Sequence, residues 1–250
     1  MILQEDAGAG QVRVARRAPL DAVLRYVAYA MPPDVPVLPP GTRWLCRKKD
    51  LLNLVVEHPP QCRTLRVSSG KKGADDYQPF QLAFPYIVYV LTFCRGDFEE
   101  MKVFFRNHAL NSLQDTLYHT NLPNVRGEPG HYGSQRVCLR YRPEMLEGVP
   151  LAEKVPALIE FFWSTGFNQD IADSAFERGQ ALDSRLAGFE AWEAASRENP
   201  LFPLEVDWEP AGRNLPGLWA ECLKLHGETT EPISSAGELA DILYRLPVGY

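Results

Sequence analysis

From Thr42 onward, short runs of apolar and β-branched residues alternate with polar turns. "TRWLCR", the turn Lys48-Lys49-Asp50, "LLNLVVE", a Pro-Pro break and "QCRTLRV" follow one another, the pattern of an antiparallel meander. Ser68 to Asp76 is polar and contains glycine, and "FQLAFPYIVYVLTF" then supplies the most strongly strand-forming run in the chain. Its nearly continuous apolar character predicts a strand covered on both faces, or a central strand packed on a helix. "MKVFFR" follows a Gly-Asp turn and adds a further strand, so the meander holds four or five.

The segments on either side carry different periods. Residues through Arg17 show little periodicity and predict a loose arm or an edge strand. Pro19 with Leu20, Val23, Leu24 and Val27 has the i, i+3, i+4, i+7 spacing of a short helix. "MPPDVPVLPP" sustains neither helix nor central strand, because each proline removes a donor and restricts the residue before it. Beyond the meander, Asn107 to Gly133 is a long irregular segment, a length often tied to function. Leu151, Val155, Leu158, Ile159 and Phe162 then predict a helix, and Ile171 to Ser196 carries an amphipathic helical pattern with Leu182, Leu186, Phe189 and Trp192. Two brief helical stretches near Leu218 and Leu239 close a proline-rich end. Strands first and helices afterwards make an α+β arrangement.

Composition narrows the function classes. A chain of 250 residues with 45% hydrophobic residues can bury a sizeable core. Its formal charge of −6 argues against a broad phosphate-binding surface, so nucleic acid is not an expected partner. The run from Leu82 to Phe93 is shorter than the roughly 20 residues of a membrane span. Five scattered cysteines, without a CxxC pair or a secretory leader, point to free thiols in a reducing cytoplasm. The histidines show neither HExxH nor zinc-site spacing with the cysteines, so a metal is not expected.

The candidate chemistry centres on the end of the long loop, "NLPNVRGEPGHYGSQRVCLR". Cys138 is there either a reactive thiol held in a shaped groove or a small hydrophobe filling the core. Asn124, after proline, reads by itself as a turn former whose side chain bonds to local backbone. His119 and His131 flank the loop and have the chemistry to lower a thiol pKa or deprotonate an amine. Glu128, Glu144, Asp170 and Asp173 are carboxylates of the kind that orient an attacking lysine, and also ordinary surface charges. Cys46 and Cys94 fall in or beside strands, Cys62 follows a Pro-Pro turn, and Cys222 sits in a helical pattern; none of the four is expected to be a nucleophile. Phe161, Phe162 and Trp163 read as packing between helix and sheet.

These motifs resemble the ubiquitin-conjugating-enzyme superfamily, and more closely its bacterial branch found in ubiquitin-like modification operons (prokaryotic family D-like). In that family a helix and a four-strand meander lead into a His-Pro-Asn tripeptide, a loop, and the catalytic cysteine followed by leucine. Here "LPNV", Leu122 to Val125, resembles the tripeptide with leucine at the histidine position, and "VCL", Val137 to Leu139, resembles the cysteine site. "VFFRN", "LYHTNLPNV" and "FFWSTGFN" are similar to the bacterial branch, and the likeness covers roughly residues 42–170.

The resemblance implies a ubiquitin-conjugating-like fold, with a four-strand antiparallel meander, flanking helices and a C-terminal helical extension. The corresponding division is a domain over residues 1–170 with its core at 42–170, and an extension over 171–250 packed on it. It also implies an acyltransferase: Cys138 takes a ubiquitin-like protein from an activating enzyme as a thioester and passes it to an amine on a protein target, with Asn124 as oxyanion donor or loop brace. Defence against phage is the implied setting, and no metal or organic cofactor is implied. The alternatives are a catalytically inactive binding or adaptor module of the same fold, and a cysteine hydrolase. The last needs a Cys-His pair, and only His226 lies downstream of Cys138. An exposed Cys138 with Asn124 close by favours transfer, a buried Cys138 favours binding, and a histidine bonded to the thiol favours hydrolysis.

Overall fold

A computed structural model describes residues 2–6, 12–17, 37–68, 77–125, 135–139, 146–168 and 175–228. The chain divides into two units, Val37–Glu228 and one made of the two chain ends. In the latter, the described residues form an antiparallel hairpin of β1 (Ile2–Asp6) and β2 (Val12–Arg17). The helix expected around Leu20 to Val27 and the helical stretch near Leu239 lie outside the described residues.

The described residues of the larger unit are α+β, with a four-strand antiparallel sheet, a small two-strand sheet, and four helices after them in the chain. The main sheet has the order β3 (Thr42–Lys48), β4 (Leu51–His58), β7 (Tyr86–Cys94), β8 (Asp97–Arg106). The small sheet pairs β5 (Gln61–Ser68) with β6 (Tyr77–Phe84). Both belong to one long hairpin. His58 lies opposite Ile87 and Gln61 opposite Phe84, so the register passes through the break without a slip. By that register Pro60 stands opposite Pro85, with Pro59 beside it, and because proline carries no N–H the ladder is interrupted there.

Helix α1 (Leu151–Ser164) buries Val155, Leu158, Ile159, Phe162 and Trp163 on one face of the hairpin. The pattern from Ile171 to Ser196 is not one helix. It resolves into α2 (Ala175–Leu182), a 3-10 turn (Ser184–Leu186) and α3 (Phe189–Glu198). The break has a local cause: Asp183 is extended and its carboxylate accepts from the Arg185 N–H, capping a new helical start. Phe84, fully buried at the proline bend, meets Trp163 of α1 and Trp192 of α3 edge-on, with ring centroids 5.1 and 5.2 Å apart.

α3 also satisfies the free edge of β6. Trp192 Nε1 donates to the Ala83 carbonyl (2.9 Å), while Ser196 Oγ and Glu193 Oε1 accept from the Ala83 and Gln81 N–H groups (both 2.8 Å). An open strand edge is thereby closed. The opposite face of the main sheet carries Val55, Val88, Val90 and Phe104, packed with Leu215 and Leu218 of α4 (Leu215–Leu225). Among the described residues no helix is long and apolar enough to cross a membrane.

Candidate functional site

The end of the long loop docks on β8 as a short additional strand. Val103 donates to the Gln135 carbonyl (3.0 Å) and Val137 to the Met101 carbonyl (2.9 Å), bracketing an antiparallel bridge between Lys102 and Arg136. Strand alternation then decides the exposure of each side chain. Gln135 and Val137 point inward and are buried, whereas Arg136 and Cys138 face solvent. The exposure of Cys138 sets aside the reading of this residue as core filling.

On its other side the segment meets the Leu-Pro-Asn-Val turn. Val125 donates to the Leu122 carbonyl (3.1 Å), with Pro123 at the second turn position, where its fixed φ suits the geometry. A bridge links Val125 to Val137, and the Cys138 N–H donates to the Asn124 carbonyl (2.9 Å). The two residues singled out from the sequence are therefore in direct main-chain contact.

The Asn124 side chain faces away from that bond and is buried. Its Nδ2 donates to the Gly166 carbonyl (3.2 Å) and its Oδ1 accepts from the Asn168 N–H (3.0 Å), just beyond the end of α1. Between those two positions, Phe167 donates to Arg66 (2.7 Å) and accepts from Ser68 (2.8 Å), adding a strand-like bridge to β5. One carboxamide thus joins the turn beside Cys138 to the edge of the small sheet. With both amide ends engaged by backbone, bracing is the role this geometry supplies. Leu122 is fully buried in the main core, an apolar anchor for the turn.

His119 is buried, and its Nδ1 lies 2.9 Å from Gln135 Nε2. Gln135 Oε1 is meanwhile the acceptor for the Thr120 N–H (2.9 Å). An amide nitrogen can only donate, so Nδ1 accepts and the ring is neutral, with its proton on Nε2. Burial lowers the His119 pKa from 6.5, and Arg178 and Arg213 lower it further against the opposing Glu209. His119 thus orders the loop end through Gln135, and its hydrogen-bond partner is not the thiol. Gln135 has φ of +65°, a left-handed conformation uncommon for a residue with a side chain, held by these bonds. Nothing in the sequence marks it, since a loop glutamine has no pattern of its own.

His131, Glu128, Glu144, Asp170 and Asp173 lie outside the described residues. Of the other thiols, Cys222 is buried, Cys46 and Cys94 are partly exposed, and Cys62 is exposed. His226 ends α4 and pairs with Glu99, its Nε2 3.0 Å from Glu99 Oε2. No family model, no curated protein and no solved structure matches this chain.

Proposed function

We propose that this protein is a thioester-carrying acyltransferase of the ubiquitin-conjugating type, with Cys138 as the carrier and Asn124 as the brace of its site. The observation that carries this reading is the exposed Cys138 thiol on a main chain pinned to Asn124. A buried thiol would have supported a binding module, and a thiol bonded to histidine would have supported a hydrolase. The meander, the Leu-Pro-Asn-Val turn and a helix following the cysteine agree in order with a ubiquitin-conjugating-like fold.

Charging exchanges one thioester for another. The Cys138 thiolate attacks the acyl carbonyl at the C-terminus of a ubiquitin-like protein, a new C–S bond forms, and the activating enzyme's sulfur leaves as thiolate. Little free energy separates the two states, because the bonds made and broken are alike. In the second step an amine of a protein target attacks the same carbonyl. The C–N bond forms, the C–S bond breaks, and the amine's proton passes to solvent or a nearby base as the thiolate is regenerated. Preorganised donors to the tetrahedral oxyanion are worth about 3 kcal/mol each in such reactions. The second N–H of Asn124 is the donor available for that role if the turn shifts on charging.

The test is a charging assay with the cognate activating enzyme, a ubiquitin-like protein and ATP, resolved on a non-reducing gel. An adduct sensitive to thiol and absent in Cys138→Ala is the expected result. No adduct, with all three proteins active and associating, makes the chain a binding module.

A further inference from the structure

A second constellation lies on the sheet face that α4 covers, built from three separate elements. Cys94 ends β7, Glu99 lies near the start of β8, and His226 caps the C-terminal end of α4. The Arg95–Gly96 turn between the strands has φ of +54° and +89°, the two-residue form that suits twisted hairpins. It holds Cys94 opposite Asp97. Just beyond, Phe93 pairs with Phe98 and Thr92 with Glu100, which leaves Glu99 as the extra residue of a β-bulge. A bulge re-aims the side chain it carries, and the Glu99 carboxylate meets the His226 ring, Oε2 lying 3.0 Å from Nε2, with the Cys94 sulfur close to both. On α4, Cys222 packs against Asn53 of β4 with its sulfur 3.8 Å from Oδ1. His226 follows four residues later on the same helix face.

From this we propose that Cys94, Glu99 and His226 form a binding site for a divalent zinc ion. One donor atom from each residue lies within 4.8 Å of the other two. Ligands at the usual distances of about 2.0 to 2.3 Å around tetrahedral zinc stand roughly 3.3 to 3.8 Å apart. Small side-chain rotations therefore close the site. The donor set of sulfur, nitrogen and carboxylate oxygen suits zinc better than the hard cations, which prefer oxygen alone. Glu99 and His226 keep 35% and 29% of their side-chain surface exposed, so an ion can enter and a water can take the fourth position. Binding releases the Cys94 thiol proton to solvent and replaces the contact between imidazole and carboxylate with coordinate bonds. It ties the end of α4 to the β7–β8 turn. The long sequence separation of the three residues hides the site from any spacing pattern.

The experiment uses the full chain carrying Cys62→Ser and Cys138→Ser, which removes the two exposed thiols. Cobalt(II) replaces zinc as a visible probe. The expected result is a thiolate-to-cobalt charge-transfer band with tetrahedral d–d absorption, saturating at one equivalent and displaced by zinc. Adding Cys94→Ser abolishes the charge-transfer band, and His226→Ala and Glu99→Gln abolish the tetrahedral d–d bands. Zinc raises the thermal midpoint of the background protein and leaves that of each variant unmoved. His226→Ala alters an exposed helix end, so it keeps the test valid if Cys94→Ser fails to fold. Absence of the band in the background protein, or its survival in Cys94→Ser or unchanged d–d absorption in His226→Ala, overturns the proposal.

Discussion

The Cys138 main chain hangs on Asn124: the N–H of the one donates to the carbonyl of the other at 2.9 Å. The Asn124 side chain in turn grips residues 166 and 168. The position of the exposed thiol is therefore set from three directions, by β8, by the Leu-Pro-Asn-Val turn and by the chain leaving α1.

Asn124→Ala withdraws a partner from the Gly166 carbonyl and from the Asn168 N–H. Loss of buried hydrogen bonds of this kind costs about 1 to 3 kcal/mol. The expected outcome is a lower urea midpoint together with slower charging of Cys138. Asn124→Asp keeps the acceptor for Asn168 but turns a carboxylate oxygen toward the Gly166 carbonyl, so it too is expected to destabilise. Transfer to free lysine lost at an unchanged urea midpoint would instead assign Asn124 to the oxyanion.

Thiol reactivity ranks the cysteines independently of any partner. Burial pushes the Cys46 thiol up to about 12 and the Cys222 thiol up to about 11, which starves both of thiolate at neutral pH. Cys62 and Cys138 are exposed. Brief alkylation of the native protein, mapped by mass spectrometry, is expected to mark Cys62 and Cys138 first and Cys222 last. Cys138→Ala, an exposed change, should leave stability within about 0.5 kcal/mol.

The strands were legible because they alternate or run apolar between polar turns, and the main-chain contact of Asn124 with Cys138 joins two short motifs whose order in the chain was legible. What escaped was set by tertiary contacts. The first arm of the long hairpin reads as two strands because Pro59 and Pro60 interrupt it, whereas the second arm, which reads as one strand, is divided at Pro85 into β6 and β7. Asp183 looks like a residue inside an amphipathic helix, and its capping bond to Arg185 divides that helix. Gln135 has no sequence signal, since its place depends on His119 and β8 meeting across the loop.

Stability should fall on mild acidification. Burial lowers the pKa of both His58 and His119 from 6.5; Arg63 adds to the effect at His58, and Arg178 and Arg213 add to it at His119. Below that value the unfolded chain takes up protons that the folded chain refuses, so the unfolded state gains and stability drops as pH falls. The loss levels off once the folded rings protonate. His119→Asn keeps an acceptor near the position of Nδ1 for Gln135 and removes one titrating group. Urea midpoints measured between roughly pH 7 and pH 5 should decline less steeply in this variant than in the parent.

Gly166 has no room for a side chain. A Cβ there would overlap the ring of Tyr77, at the start of β6, whose face also receives the Arg66 guanidinium at 5.2 Å. Gly166 supplies the carbonyl held by Asn124, so displacing it loosens the brace of the thiol without touching Cys138. Gly166→Ala is expected to destabilise the fold by about 1 to 3 kcal/mol, the usual cost of overpacking, read as a lower urea midpoint, and to slow charging in parallel. Tyr77→Ala removes the obstructing ring, and in the double variant the alanine should cost much less than it does alone. A non-additive cycle of that sign locates the defect in the contact between residues 77 and 166. Equal costs in both backgrounds would mean that residue 166 yields by moving its backbone, and the bonds from Asn124 would then be the ones to break.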